Sequence, residues 1–137
     1  MLKRFGVSLE ETLLESFDAL INEEGYTNRS EAIRDLIRDT LIKREWLKGD
    51  AQTAGIVFLV FDHHRMDLSR KLTHRQHEHH DRIVASMHVH LDEHHCLEVV
   101  VLKGRATEIQ SIAESLVSTK GVLHGRFIGT AAGKAII

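Results

Sequence analysis

Apolar and polar positions change period several times along the chain, and each change marks an element. Over residues 4–9 they alternate, with Phe5, Val7 and Leu9 facing one way and Arg4, Gly6 and Ser8 the other, which predicts one short strand. From Ser8 the period lengthens: Leu13, Leu14, Phe17, Leu20 and Ile21 recur at helical spacing, Ser8 and Glu11 have the spacing of a capping box, and Gly25 stops the helix. A second helix opens at Asn28, with Glu31 as its reciprocal cap and Ala32, Ile33, Leu36, Ile37, Leu41 and Ile42 as its apolar stripe. The first 46 residues therefore read strand, helix, helix. A lone strand with no hairpin partner leaves its backbone groups unpaired, and two helices make a thin core. Pairing with the same strand of a second chain meets both needs, so this segment predicts an obligate dimer.

Residues 47–55 lose periodicity, contain Gly49 and Gly55, and are expected to be a linker. Beyond them the pattern predicts a buried strand at 56–61, a helix at 66–80 with Leu68 and Leu72 inward, strands at 83–91 and 96–102, a helix at 107–118 and a strand at 122–128. The order β-α-β-β-α-β is that of the split, ferredoxin-like arrangement. The expected fold class is thus α+β, with a β-α-α unit at 1–46, a linker at 47–55, a ferredoxin-like unit at 56–130 and a loosely held tail at 131–137.

Composition narrows the function. The 137 residues carry 42% hydrophobic and 28% charged side chains, and no apolar run approaches the roughly 20 residues of a membrane helix. A single cysteine forms no internal disulfide, and the first residues lack the apolar core of a signal peptide; both fit a reducing cytoplasm. The net charge of −2, with eight Lys/Arg against ten Asp/Glu in residues 1–48, gives no overall basic footprint, so any DNA contact must depend on where particular cations sit. Histidine is the outlier: eleven in all, ten of them between His63 and His95.

Those histidines surround the only cysteine. On a strand, His88 and His90 project from one face about 7 Å apart. A turn over residues 91–95 and an antiparallel return put Cys96 beside His90. Two imidazoles and a thiolate suit a borderline or soft metal such as zinc, nickel or copper and disfavour calcium and magnesium. A fourth ligand is expected from residues 76–80, from the same chain or from a neighbouring subunit. His63, His64, His74, His79, His80, His94, His95 and His124 are assigned mostly to solvated side chains or weak secondary metal sites.

These motifs, "GYTNRSEAIRDLIRD" at 25–39, "HEHHD" at 77–81, "HVHLDEHHCLEVVVLKG" at 88–104 and "GVLHGRF" at 121–127, resemble nearly end to end the nickel-responsive transcriptional regulators of the NikR family. That family joins a ribbon-helix-helix DNA-binding domain to an ACT-like, ferredoxin-type metal-binding domain. The resemblance implies a square-planar nickel(II) site, one per chain, made of His88, His90 and Cys96 with His77 of a neighbouring subunit, and Gln76 and Glu98 hydrogen-bonded around those ligands. It implies a homotetramer, a dimer of dimers, that binds palindromic half-sites of double-stranded operator DNA and represses nickel-uptake genes. At the DNA end it implies base reading from the positions of Arg4, Gly6 and Ser8, phosphate anchoring by Asn28, Arg29 and Ser30, and a backbone contact from Arg65. Gly6 departs from the family's usual polar residue and reads no base through a side chain, and Met66 replaces a usual second cation. Asn28 and Glu31 also serve simply as a helix cap. Glu31 and Asp35, one turn apart, are implied to hold a hard cation, typically potassium; alternatively they are two solvated acids near Arg34 and Arg38.

The expected mechanism is allosteric, with metal binding favouring operator binding and the linker permitting the change. An enzyme using a zinc-bound water is disfavoured, because four protein ligands leave no open position and no general base stands beside them. A metal-storage protein or metallochaperone is the alternative function.

Overall fold

A computed structural model describes residues 1–131. They form two compact units, one of residues 1–40 and one from Leu41 onward. In the first, α1 (Glu11–Glu23) and α2 (Arg29–Leu47, continuing past the division) are joined at Gly25, whose φ of +82° accommodates the turn that ends α1. Its core is slight: Ile21 and Ala32 are buried, whereas Phe5, Val7, Leu13, Leu20, Leu36 and Ile37 are exposed.

The strand expected at 4–9 needs a second copy of the chain to pair with; in the single chain residues 1–10 are exposed throughout and join no ladder among the described residues. One local expectation is corrected: the Ser8 capping box does not form. α1 begins at Glu11 behind Glu10, without a side-chain cap. At α2 the cap is half as expected: Asn28 Oδ1 accepts the Glu31 N–H at 2.9 Å, but the Glu31 carboxylate accepts the Thr27 hydroxyl at 3.4 Å and does not reach back to residue 28.

The second unit contains β1 (Gln52–Asp62), α3 (Met66–Glu78), β2 (Ile83–His90), β3 (His95–Arg105), α4 (Ala106–Val117) and β4 (His124–Ala131). All neighbouring strands are antiparallel, in the order β2-β3-β1-β4. This is the predicted split arrangement, with β1 and β3 in the middle. Val57, Leu59 and Phe61 of β1 and Cys96, Val100 and Leu102 of β3 are buried together with Leu68 and Leu72 of α3 and Ile109, Ile112 and Leu116 of α4. The other sheet face carries Ile56, Met87, Val89 and Ile128 in partly or fully exposed positions.

The stretch expected to be a linker is ordered. α2 runs to Leu47 and β1 starts at Gln52, three residues before Gly55. The intervening turn is fixed by Thr107, whose N–H and hydroxyl both donate to the Gly49 carbonyl, at 3.0 and 2.9 Å, and by Ala106 N–H donating to Ala51 at 3.0 Å. Just upstream, Trp46 lies edge-on to Phe127, and its Nε1 donates to the Thr130 carbonyl at 3.1 Å. The periodicity fails over 47–55 because a tight turn passes into a central strand, a change of element and not a loss of structure. The tail expected at 131–137 lies, beyond Ala131, outside the described residues.

Candidate metal centre

Among the described residues β2 lies at the edge of the sheet with β3 as its neighbour, so their register decides which side chains meet. His90 pairs with Cys96 and His88 with Glu98. Residues directly opposite in a ladder share a face, so His88, His90, Cys96 and Glu98 all stand on the helix side of the sheet. The His88 and His90 rings are 5.8 Å apart, centre to centre, and His88 meets Phe61 edge-on at 5.9 Å. Both histidines are exposed, while Cys96 is fully enclosed.

The thiol's surroundings set its chemistry. Burial pushes the Cys96 thiol above its ordinary pKa, and the Glu98 and Asp62 carboxylates push it the same way. Its one hydrogen bond is long, 3.5 Å to the Phe61 carbonyl. Cys96 is therefore held as a neutral thiol with a weakly engaged sulfur, a group that gives up its proton to a metal far more readily than to water. Glu98 is steadied from α3: Gln76 Nε2 donates to its Oε1 at 2.7 Å. These two residues are the pair that the family resemblance sets around the ligands.

The chain does not bring all four expected ligands together. His77 is exposed on α3, with its carbonyl 3.3 Å from His80 Nδ1. Among the described residues, three metal-capable donors lie within 4.8 Å of one another at one place, and they belong to Asp62, His64 and His94. Sequence reasoning leaves these two histidines among the solvated or weak sites. The signal that points to them is the Asp-x-His spacing at the end of a predicted strand.

The residues expected to meet DNA divide in two. Arg4, Gly6 and Ser8 are exposed in the segment before α1. Arg29 instead makes a two-pronged ion pair with Asp18, 2.8 Å at each prong, and Asn28 caps α2. Ser30 is exposed in the first turn of α2, and Arg65, just before α3, is 3.6 Å from Asp67. Glu31 and Asp35 are not left as two free acids: Asp35 accepts the Tyr26 hydroxyl at 2.7 Å and Arg38 at 3.0 Å. The Asp35 carboxylate holds the Tyr26 phenol up at about 12.

Residues 54–130 match the NikR C terminal nickel binding domain, and residues 3–44 match the ribbon-helix-helix protein, copG family. A putative nickel-responsive regulator of Geobacter sulfurreducens is 56% identical over 97% of this chain and 96% of its own, and one of Pyrococcus furiosus is 54% identical over 98% and 97%. An uncharacterized protein, TM1266 from Thermotoga maritima, shares the fold over 57% of this chain and 96% of its own, with a TM-score of 0.51 at 18% identity. No helix among the described residues is long and apolar enough to cross a membrane. The chain belongs to the family of nickel-responsive regulators that join a ribbon-helix-helix segment to the NikR C-terminal domain.

Proposed function

We propose that this protein is a nickel-dependent transcriptional repressor of nickel-uptake genes. The observation that carries the proposal is the ladder pairing of His90 with Cys96, which sets His88, His90 and a buried thiol on one face beside a carboxylate fixed by Gln76. The donor set fits the ion: two imidazoles and a sulfur suit a borderline transition metal, and the relatives' names specify nickel. His88, His90 and Cys96 would hold one ion per chain, with His77 of a neighbouring subunit as fourth ligand. A nickel ion bound in this way supplies a cross-link between α3 of one chain and the β2–β3 pair of another.

The remaining steps belong to the protein. Gln76 orients Glu98, and Glu98 lies opposite His88, so the imidazole is offered in a restricted pose. Exposed Phe5, Val7, Leu9 and Ile37 and half-buried Leu14, Phe17 and Ile33 line a groove of about 800 Å³. A second copy of the same segment fills such a groove and supplies the missing strand partner, giving a two-stranded ribbon that carries Arg4 and Ser8 into the major groove. Two such dimers on one central tetramer span palindromic half-sites. Ser30 and the α2 N-terminus lie against phosphate, Arg65 adds a backbone contact, and Glu31 with Asp35 take potassium in the DNA-bound state. Coupling is reciprocal, so operator DNA tightens nickel binding by the factor by which nickel tightens DNA binding.

Nickel titration with absorption spectroscopy and operator gel shifts tests this. A thiolate charge-transfer band saturating at one ion per chain, absent in Cys96→Ala, together with nickel-dependent retardation of DNA, is expected. Nickel binding without any effect on DNA would make the chain a storage protein or metallochaperone. A His77→Ala variant that binds nickel and operator normally would refute the inter-subunit ligand.

A further inference from the structure

Outside the His88–Cys96 ladder, two turns meet at the same end of the sheet. β1 ends at Asp62, which pairs with His95, and the ladder continues one bond further as His63 N–H donates to the His94 carbonyl at 2.9 Å. Each turn is tightened by its own carboxylate. Asp62 Oδ1 accepts the His64 N–H at 3.0 Å, and Asp92 Oδ1 accepts the N–H groups of His94 and His95 at 2.8 and 2.7 Å. His64 and His94 thus stand on fixed backbone, their rings 5.4 Å apart and tilted edge to face. One donor atom from each, and one oxygen of Asp62, lie within 4.8 Å of one another.

We propose that Asp62, His64 and His94 form a second metal site, complete within one chain, for a borderline divalent transition ion such as nickel or zinc. Two imidazoles and one carboxylate on one side of an ion match the preference of such metals and leave positions for water. The site shares no residue with the proposed His77, His88, His90 and Cys96 set and contains no sulfur, so it gives no thiolate band. Asp62 is held ionised, chiefly by the His64 backbone N–H, and supplies the negative charge. His63 lies between the two places, its ring 4.2 Å from that of His64 and 5.1 Å from that of His90, with an enclosed Nε2 that makes no hydrogen bond.

The test is equilibrium dialysis of the full chain against nickel(II), with absorption spectra at each loading. Wild type is expected to take up a second ion after the thiolate band has saturated. The double variant His64→Ala/His94→Ala should bind that second ion at least tenfold more weakly, with the band unchanged. Asp62→Asn keeps the acceptor for the His64 N–H and removes the charge, and should weaken the second ion by a similar factor while the thiolate band still forms. Uptake that stops at one ion per chain in wild type overturns the proposal, as does a second ion held equally well by the double variant. Failure of the proposed nickel-sensing site shows separately, as a missing thiolate band in wild type.

Discussion

Raising the pH from 7.5 to 8.5 should tighten nickel binding by more than about fivefold and at most about tenfold, and the cause is the burial of Cys96. A metal takes the thiolate, so one proton must leave the sulfur for each ion bound while the thiol is still protonated. An ordinary thiol, with a pKa of about 8.5, is half ionised at the upper end of that interval and would give only about a fivefold change. Cys96 is fully enclosed, and burial, aided by Glu98 and Asp62, moves its pKa upward. The gain then rises above fivefold toward the limit of tenfold per pH unit, about 1.4 kcal/mol, that the loss of one proton sets. Competition against a chelator of known proton affinity measures the slope, and calorimetry in two buffers of different ionisation enthalpy counts the proton. The apo-protein should behave in the opposite sense. Its raised thiol pKa makes the folded chain hold a proton that the unfolded chain releases, so stability falls as pH climbs from the unfolded value toward the folded one. Nickel affinity independent of pH over this interval, or the same slope in Cys96→Ser, would refute the reasoning.

Gln76→Ala releases Glu98 beside His88 without touching a proposed ligand, and should lower nickel affinity by roughly 10- to 100-fold at unchanged circular dichroism. Unchanged affinity would mean that the Gln76–Glu98 contact does not orient the site. At Gly129 a Cβ would run into the Trp46 ring, so Gly129→Ala should destabilise the second unit by about 1–3 kcal/mol. The single tryptophan reports the displacement as a red shift, and urea denaturation reports the loss as a lower midpoint; native-like values for both would refute the packing. Tyr26 is the only tyrosine, so alkaline absorbance titration reads it directly. Its ionisation should come at about pH 12 and fall back toward 10 in Asp35→Asn, with the stability it contributes lost as pH rises between those values.

The second unit is legible in the sequence because every one of its elements satisfies its own period. Val57, Leu59 and Phe61 alternate into the core, and Ile109, Ile112, Ala113 and Leu116 recur along one helical face. The ladder partners follow from a turn of the right length, which is why the spacing of His90 and Cys96 alone suffices to pair them. Three things are harder to see. Residues 47–55 look like a linker because composition does not distinguish a pinned turn from a free one; the bonds from Thr107 to Gly49 that pin it span 58 residues. The segment at 4–9 alternates correctly yet joins no ladder among the described residues, as its need for a second chain leads one to expect, so the register of that pairing is what stays hidden. Arg29 looks free for phosphate because Asp18, its partner, is eleven residues away across the helical turn. Each of these depends on a contact distant in sequence, which local pattern does not encode.

The distribution of burial bears on why sensing and assembly should be one process. The core stops at β3: Cys96, Val100 and Leu102 are enclosed, whereas β2 beyond it is exposed from Ala85 to His90 on both faces. A partly apolar edge that no strand among the described residues covers is a liability unless a partner covers it. The helix-free sheet face adds Ile56, Met87, Val89 and Ile128, an apolar surface of the kind that marks a subunit contact. His88 and His90 lie on that same edge strand, so whatever covers the edge also meets the imidazoles. An exposed His77 on α3, out of reach of its own chain's set, is then well suited to serve a neighbour. A ligand shared across such a contact makes nickel affinity depend on association, and association on nickel, with the same free energy entering both equilibria. A site completed inside one chain, like that proposed at Asp62, His64 and His94, carries no such dependence. Metal occupancy as a function of chain concentration therefore separates the two sites by physics alone.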